Sequence, residues 1–527
     1  MKRYECVVIG AGPAGLSAAI EAASHGLSTA VFDENARPGG QLFKQIHKFF
    51  GSREHMAHVR GFEIGSKLVE EAKQKGAEVH LNSTVLGIFP FNGLWVKNGD
   101  ETYLCQADNI IIATGASENT IAFENWTLPG VMGAGSAQTQ MNLHGIIPGK
   151  RVLMIGSGNV GLVVGMQLKQ AGCELVAIVE AASRIGGYGV HAAKLARTGV
   201  PFYMNHTVLR AEGTDHVERA VIAEVDNHFC PIPGTEKSFD VDTICIAVGL
   251  SPMYRLADMA GCKMEESKGG IHPVVDPYGR TSVDGIFAAG DVAGIEEASS
   301  AMIAGKIAGV SAAHRAGYLS DEACAKLHSE YEKALDKLHQ GMFAGKNKGD
   351  PTIHSTSEGI PLSESLLRCG YMEPTDVERF PGYVSNKDGF HPVVECTQNI
   401  PCNPCQDLCP KACITVGEDI SSLPTVHPDL DCINCGMCVS GCPGQAIFLI
   451  NEHYEPGYAA VSFPYELLPV PEIGTKGFAL DRSGKAICEA EIIGAKLTKA
   501  YDHTTVLTMK VPEEMVDCAR FFSWEEM

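Results

Sequence analysis

The chain has 527 residues, 45% of them hydrophobic, and a formal net charge of −21. This length predicts roughly three or four domains, each with its own apolar core. The negative charge argues against nucleic acid or an anionic membrane as a partner. No apolar run reaches the roughly 18 residues of a membrane span. The N-terminal segment is explained better by a dinucleotide-binding fold than by a signal peptide, so we expect a cytoplasmic protein.

The first nucleotide-binding pattern lies at the start of the chain. Residues 5–9 predict a buried parallel strand, and Gly10-x-Gly12-x-x-Gly15 and an Ala-rich helix follow it. The glycines permit a tight turn and let a pyrophosphate approach the helix N-terminus. A second strand ends at Asp33, where an acceptor for ribose hydroxyls belongs. This order of elements predicts a dinucleotide site.

A second copy of the pattern begins near residue 147. It contains Gly156-x-Gly158-x-x-Gly161 and a strand that ends at Glu180, so residues 1–41 and about 147–188 form an internal repeat. An acid at this strand end favours NAD over NADP because it would repel a 2′-phosphate. The nearby Arg184 argues in the other direction, and another adenine nucleotide is an alternative ligand.

Residues 396–443 hold nine of the 19 cysteines. From Cys432 to Pro443 the spacing is Cys-x2-Cys-x2-Cys-x3-Cys-Pro, which is typical of bacterial ferredoxins with [4Fe–4S] clusters. The segments CPKACI and CPGQAI repeat around it, which indicates two clusters. Zinc sites use separated Cys pairs instead, and disulfide frameworks belong to short secreted chains.

Crossed ligation between the two halves predicts the ligands of each cluster. The regular pattern would place one ligand at Asn399, and we expect Cys396 to replace it. Cys413 aligns with Ala446 and is interpreted as buried without a ligand role. We expect the first cluster to be held by Cys396, Cys402, Cys405 and Cys442, and the second by Cys409, Cys432, Cys435 and Cys438.

Three further segments resemble the thioredoxin-reductase-like flavoproteins with two dinucleotide domains. The first runs from Arg37 to Gln41, the second is the ATG strand at 107–115, and the third is the closing FAD motif at 281–291. The resemblance implies an α/β fold with the nicotinamide domain inserted into the FAD domain. It also implies a helix from about residue 299 whose N-terminus points at the flavin. No Cys-x2-Cys pair precedes Cys402, which argues against disulfide reduction.

The motifs and this resemblance together predict the residues that bind FAD and the second nucleotide. These are Gly10, Gly12, Pro13, Ala14, Gly15, Asp33, Glu34, Gly40, Gln41, Ala113, Thr114, Gly115, Gly156, Gly158, Gly161, Glu180, Gly290 and Asp291.

The segment LPGVMGAGSAQTQ at 128–140, just before the second glycine motif, is similar to the α subunits of heteromeric amine dehydrogenases. That group includes dye-linked proline dehydrogenase, opine oxidase, hydrogen cyanide synthase and, more remotely, sarcosine oxidase. The resemblance implies that a second flavoprotein subunit oxidises an amine such as proline or an N-substituted glycine. This chain would pass electrons between flavin, NAD and ferredoxin-type clusters, with ferredoxin as a further partner.

Some members of that group hold an FMN at the subunit interface, and no residue of this sequence marks one. The alternative is a self-contained NAD(P)H:acceptor oxidoreductase that resembles the small subunit of glutamate synthase. A third possibility is an electron-transfer scaffold without turnover of its own.

The predicted domains follow from these motifs. They are an FAD-binding domain at 1–125 and 252–320, an inserted NAD-binding domain at 126–251, a helical and irregular linker at 321–390, an α+β two-cluster ferredoxin-like domain at 391–455, and a β-rich C-terminal docking segment at 456–527.

Overall fold

The computed structural model describes residues 2–89, 93–267, 269–341 and 353–525. The chain forms two compact units. The first contains residues 1–47, 59–119 and 249–339, and the second contains 48–58, 120–248 and 340–527. Residues 342–352 of the linker predicted at 321–390 lie outside the described residues.

Helices and strands are numbered here in chain order through both units. The first unit contains β1 (Lys2–Ile9), α1 (Pro13–Ser24), β2 (Thr29–Phe32), α2 (Gly61–Gln74), β3 (Glu78–His80), β4 (Ser83–Phe89), β5 (Gly93–Asn98), β6 (Glu101–Ile112), β7 (Ala116–Glu118), β16 (Leu250–Pro252), α6 (Arg255–Met259), β17 (Met264–Ser267), β18 (Gly270–Pro273), β19 (Ile286–Ala288), α7 (Ala298–Arg315) and α8 (Asp321–Leu338).

The main sheet of the first unit has the strand order β3-β2-β1-β6-β5-β4, and β19 also pairs with β6. Strands β1, β2, β3, β6 and β19 are parallel, which places their carboxyl ends at one edge. The small residues of α1 let α7 approach closely. A Cβ on Gly305 would lie 2.0 Å from the carbonyl oxygen of Ala14. This packing fixes the start of α1 beside β1, where the glycine motif lies.

The linker begins with a single helix in this unit. Helix α8 starts at the capping residue Ser320, whose hydroxyl accepts from the Ala323 amide, and it packs on α7. It buries Cys324 and His328 and exposes most of its charged residues. The first part of the predicted linker is therefore one amphipathic helix.

The second unit first forms a dinucleotide-type domain. Its elements are β8 (Val131–Gly133), α3 (Ala134–His144), β9 (Arg151–Ile155), α4 (Asn159–Gln170), β10 (Glu174–Glu180), α5 (Gly189–Ala196), β11 (Phe202–Met204), β12 (His206–Glu212), β13 (Arg219–Glu224), β14 (Lys237–Asp240) and β15 (Thr243–Ile246). A five-stranded parallel sheet has the order β11-β10-β9-β15-β8, and β12-β13-β14 form an antiparallel sheet beside it.

The rest of the second unit contains the cysteine-rich region and the C-terminal segment. Its elements are α9 (Glu364–Cys369), α10 (Pro374–Val377), β20 (His391–Val394), α11 (Pro404–Leu408), β21 (Ile414–Thr415), β22 (Thr425–Val426), α12 (Met437–Gly441), β23 (Ile447–Glu455), β24 (Tyr458–Tyr465), β25 (Lys476–Leu480), β26 (Ala486–Lys496), β27 (Thr505–Pro512) and β28 (Phe521–Ser523).

The domain boundary predicted at 455/456 does not separate two sheets. Strands β23 and β24 are antiparallel neighbours in one seven-stranded sheet of order β20-β23-β24-β27-β26-β25-β28. A shared core of residues such as Phe448, Phe463 and Phe521 runs beneath it. Alternation of apolar and polar residues specifies the face of a strand but not its partner, so the sequence of the C-terminal segment could not indicate this pairing.

Candidate cofactor sites

The first glycine loop joins β1 to α1. Gly10 has a φ of +106°, and a Cβ there would lie 2.3 Å from the carbonyl oxygen of Ala113. A Cβ on Gly15 would lie 1.9 Å from the carbonyl oxygen of Gly10, so the fold itself requires both glycines. At Gly12 the nearest atom is the Gly40 Cα, 3.9 Å away. The protein therefore leaves space at Gly12, as the approach of a pyrophosphate requires.

Helix α1 begins directly after this open position. Gly12 is its N-cap residue and Pro13 follows as the first helical residue. Within the described part of the chain, no side chain caps this N-terminus. Its first amide N–H groups are therefore oriented to receive an anion, and the helix dipole favours negative charge there.

Asp33 follows β2 and is buried. Its Oδ2 accepts a hydrogen bond from the Ala11 amide at 2.6 Å, and its Oδ1 accepts from the amide and side chain of Asn35 at 2.8 and 2.9 Å. These bonds hold the glycine loop in place. The sequence predicted Asp33 only as an acceptor for ribose hydroxyls and did not indicate this structural role. The next residue, Glu34, is exposed.

The other predicted FAD residues lie at the same edge of the sheet. The amide of Ala113 donates to the carbonyl of Ile9, and the hydroxyl of Thr114 donates to the carbonyl of Met253 at 2.9 Å. The Asp291 carboxylate accepts from the Glu296 amide at 3.1 Å. A Cβ on Gly290 would lie 2.7 Å from the Cβ of Ala14, and a Cβ on Gly40 would lie 2.7 Å from the Gly12 Cα. Gly115 has a φ of +72°, and Gln41 is exposed.

The second glycine loop repeats the first. Gly156 has a φ of +104° and its Cβ would lie 2.2 Å from the carbonyl oxygen of Ala247. A Cβ on Gly161 would lie 2.2 Å from the Gly156 carbonyl oxygen, while nothing in the described part of the chain lies within 4 Å of the Cβ position of Gly158. This loop therefore leaves the same space at its middle glycine.

Glu180 accepts hydrogen bonds from the second glycine loop, as Asp33 does from the first. Its Oε2 accepts from the Ser157 amide and hydroxyl at 2.8 and 2.7 Å, and its Oε1 accepts from the Ala182 amide at 2.9 Å. Arg184 donates to the Glu364 carboxylate at 2.8 Å, so its guanidinium already contacts a carboxylate of the same unit. The structure thus keeps an acid, Glu180, at the strand end and engages the arginine elsewhere.

Four half-buried cysteines whose thiols act on one another's pKa form what we call the first cysteine group: Cys396, Cys402, Cys405 and Cys442. Burial raises the pKa of the Cys402 thiol well above its usual range, and the thiols of the other three raise it further. Apolar side chains of Val190 and Ile400 pack around the group.

Cys409, Cys432, Cys435 and Cys438 form the second cysteine group. Burial raises the pKa of the Cys438 thiol well above its usual range, and the thiols of the other members add to this effect. All four line one cavity, together with the buried Cys413. Each group therefore takes one cysteine from the other half of the cysteine-rich segment. Cys409 belongs to the second group, and Cys442 belongs to the first.

The two Cys-Pro repeats fold alike. The amide of Cys413 donates to the Cys409 sulfur at 3.2 Å, and the amide of Ala446 donates to the Cys442 sulfur at 3.5 Å. In each repeat the residue before the donating amide has a φ of +52°. Amide donors aimed at sulfur stabilise thiolates and are one of the features that set cluster potentials.

The Asn399 side chain makes its hydrogen bonds with groups other than the cysteine sulfurs. Its side-chain nitrogen donates to the Glu358 carboxylate and to the carbonyl of Ser421, and its oxygen accepts from the Ser357 amide. This buried amide holds neighbouring loops together. Among the residues that the structure describes, no group of three or more His, Cys, Asp or Glu side chains is placed so that it could hold a metal ion.

Sequence reasoning missed a buried ionic group beside Cys396. The Glu395 Oε1 accepts from Arg482 at 2.7 Å and from Arg520 at 2.6 Å. Burial alone would raise the pKa of Glu395, but the charges and hydrogen bonds of the two arginines lower it to about 2. The arginines lie 87 and 125 residues away in sequence, so no local motif could have indicated the group.

A second residue that the sequence did not mark is the buried Lys48. Its ammonium donates to the carbonyls of Ser440 and Tyr501 at 2.7 and 2.8 Å and to the Thr504 hydroxyl at 3.0 Å. It thereby ties the end of α12 to the C-terminal segment. Across the described ranges, no helix has the length and apolar character to cross a bilayer.

The sequence profile described as pyridine nucleotide-disulphide oxidoreductase matches residues 4–317. The chain belongs to this family. It is an FAD-dependent oxidoreductase, and membership of the pyridine nucleotide-disulphide oxidoreductases supports flavin and nucleotide binding. The fold is accordingly the mixed α/β fold of these enzymes, with an FAD domain.

Some of the proteins that are similar to this chain are named as subunits. The A subunit of opine oxidase from Agrobacterium tumefaciens is 28% identical over 59% of this chain and 65% of its own length. Hydrogen cyanide synthase subunit HcnB of Pseudomonas protegens is 25% identical over 71% of this chain and 83% of its own. The structure of L-proline dehydrogenase from P. horikoshii is similar with a TM-score of 0.50 and 25% identity, covering 64% of this chain and 59% of that one.

Proposed function

We propose that this chain is the electron-transferring flavin and iron–sulfur subunit of an amine or amino-acid dehydrogenase complex. The observation that carries the proposal is the presence, in one chain, of the open glycine loop at Gly12 and two groups of four cysteines. The names of the relatives, among them sarcosine oxidase subunit alpha, support amine or amino-acid substrates of the proline, opine or N-substituted glycine type.

FAD is proposed to bind at the first glycine loop. Gly12 leaves room for the pyrophosphate, and the uncapped N-terminus of α1 faces it with amide donors. Bound flavin would supply hydride chemistry and split electron pairs into single electrons. The protein's contribution is to position it, with Asp33 holding the loop and Glu34 available for the ribose.

Each cysteine group is proposed to hold one [4Fe–4S] cluster. Four thiols meet in each group, and amides donate to the Cys409 and Cys442 sulfurs. A four-iron cluster occupies more space than one ion, so its ligands need not converge as the ligands of a single ion do. The contacts of Asn399 support Cys396 as the fourth ligand of the first cluster.

The second glycine loop is proposed to bind NAD(H) or another adenine nucleotide. Gly158 leaves the space that a pyrophosphate needs, and Glu180 places negative charge where a 2′-phosphate of NADP would lie. FMN at a subunit interface and ferredoxin as a partner stay predictions from the resemblance, as does the cytoplasmic location.

Anaerobic purification of the native complex tests the proposal. We expect a second flavoprotein subunit to co-purify, one FAD in this chain, and about eight iron and eight sulfide per chain for two clusters. A chain that purifies alone and reduces dyes with NADH at full rate would instead support the self-contained NAD(P)H:acceptor oxidoreductase. That alternative is favoured by the intact second glycine loop.

A further inference from the structure

We propose that Arg197 and Lys194, at the end of helix α5 in the inserted dinucleotide domain, raise the reduction potential of the first cluster. The inference rests on the proposed function, because it requires a cluster in the first cysteine group. It adds that a helix of the nucleotide domain sets the electrostatic environment of that cluster.

Helix α5 packs directly on the turn that follows Cys442. A Cβ on Gly444 would lie 2.8 Å from Val190 of α5, so only a glycine permits this approach. The Arg197 Nη2 donates to the carbonyl of Gln445 at 2.8 Å, in the same turn. Arg197 and Lys194 are 5% and 3% exposed, so their charges are not screened by solvent.

The charges around this turn are unequal in number. Arg197, Arg482 and Arg520 line one cavity with Glu395, whose carboxylate accepts from the latter two arginines. The Arg197 guanidinium lies over the ring of Phe448, with Arg520 also against that ring. Four cations, counting Lys194, thus face three carboxylates, Glu395, Glu466 and Asp517.

The peptide unit between Gln445 and Ala446 links Arg197 to the first cysteine group, because its carbonyl accepts from Arg197 and its amide donates to the Cys442 sulfur at 3.5 Å. Lys194 lies in the last turn of the same helix and is equally buried. Burial lowers the pKa of Lys194 to about 8 and that of Arg197 to about 10, and the negative charges of nearby carboxylates oppose this. A cluster bound to four thiolates is anionic, and reduction adds one more negative charge. Unscreened cations next to a ligand therefore stabilise the reduced form more than the oxidised form.

The second cysteine group provides an internal comparison. The half-buried Lys387 places a positive charge near this group, because it contacts the segment that leads into Cys432. Its ammonium donates to the carbonyl of Leu430 at 2.5 Å. Removing the Lys387 charge should therefore lower the reduction potential of the second cluster and leave that of the first unchanged. The shift should be smaller than those at the first cluster, because solvent screens Lys387 in part.

The test is a redox titration of the intact complex, followed by electron paramagnetic resonance, with both clusters resolved. Arg197→Gln removes the charge and leaves a shorter polar side chain, and Lys194→Met removes the other charge at similar size. Both should move the potential of the first cluster in the negative direction and leave the second unchanged. Arg197→Lys should restore most of the wild-type value, and Lys387→Met should shift only the second cluster.

Unchanged potentials of the first cluster in Arg197→Gln and Lys194→Met, with full iron content, would overturn the inference. If Arg197→Gln lost iron, Lys194→Met alone would decide, since it is Arg197 that holds the carbonyl of Gln445 in the turn. A wild-type chain with iron for one cluster or none would contradict the proposed function instead, so the two failures are distinguishable.

Discussion

At the scale of single residues, the glycines of the first loop have different roles. Gly10 and Gly15 are required by the fold, and Gly12 leaves space for a ligand. A side chain at Gly12 meets nothing closer than 3.9 Å in the described structure, whereas one at Gly15 meets a carbonyl oxygen at 1.9 Å. We therefore expect Gly12→Val to fold and lose its FAD, and Gly15→Val to fail to fold. Flavin absorbance and far-ultraviolet circular dichroism measure both. Gly12→Val protein with a full flavin complement would contradict the assignment.

The fourth ligand of the first cluster is also decided by single residues. Cys396 lies among the other thiols of its group, while the amide of Asn399 is engaged by Glu358, Ser421 and Ser357. Cys396→Ala should lose about four iron per chain, one cluster's content, and Asn399→Ala should lose none. Iron and sulfide analysis after anaerobic purification measures this, and the opposite pattern would favour position 399.

The Glu395 carboxylate should contribute strongly to stability. Its pKa is depressed, so the stabilisation is present at neutral pH and is lost as pH falls from about 4.5 towards about 2. Glu395→Gln leaves two buried arginines uncompensated and should cost roughly 3–5 kcal/mol at pH 7. Glu364→Gln, at the exposed pair with Arg184, is the matched control and should cost less than about 1 kcal/mol. Urea denaturation compares them, and equal midpoints would refute the prediction.

At the scale of secondary-structure elements, the end of β10 should set the nucleotide preference. Glu180 is held there by the amides of Ser157 and Ala182, so its charge is fixed in position. NADH should bind more tightly than NADPH, and Glu180→Gln should reduce that ratio by roughly tenfold, or about 1.4 kcal/mol. Binding titrations decide. Tighter NADPH binding by the wild type would reverse the assignment and direct attention to Arg184.

At the scale of the whole molecule, amine oxidation should require a second chain. Relatives such as the opine oxidase protein and HcnB are named as subunits, which supports a heteromeric complex. The purified single chain should show NADH- or dye-linked diaphorase activity without amine dehydrogenase activity, and the complex should show both. Gly158→Val is the control, since it should lose the NADH-linked rate and retain flavin. Proline or sarcosine oxidation by the single chain at the rate of the complex would disprove its assignment as an electron-transferring subunit.

The sequence by itself determined the features that depend on neighbouring residues. The loops at Gly10 and Gly156 adopt left-handed backbone angles and close contacts that only glycine tolerates, so their spacing could be recognised directly. The Cys-Pro repeats at Cys409 and Cys442 likewise fold within six residues.

Only the tertiary structure decided which distant segments meet. It joined the C-terminal strands to β23 in one sheet, because strand alternation specifies a face but not a partner. It gave Asp33 and Glu180 their contacts with the glycine loops. It also brought Arg197 of α5 against the turn after Cys442, a contact between residues 248 positions apart that no local pattern encodes.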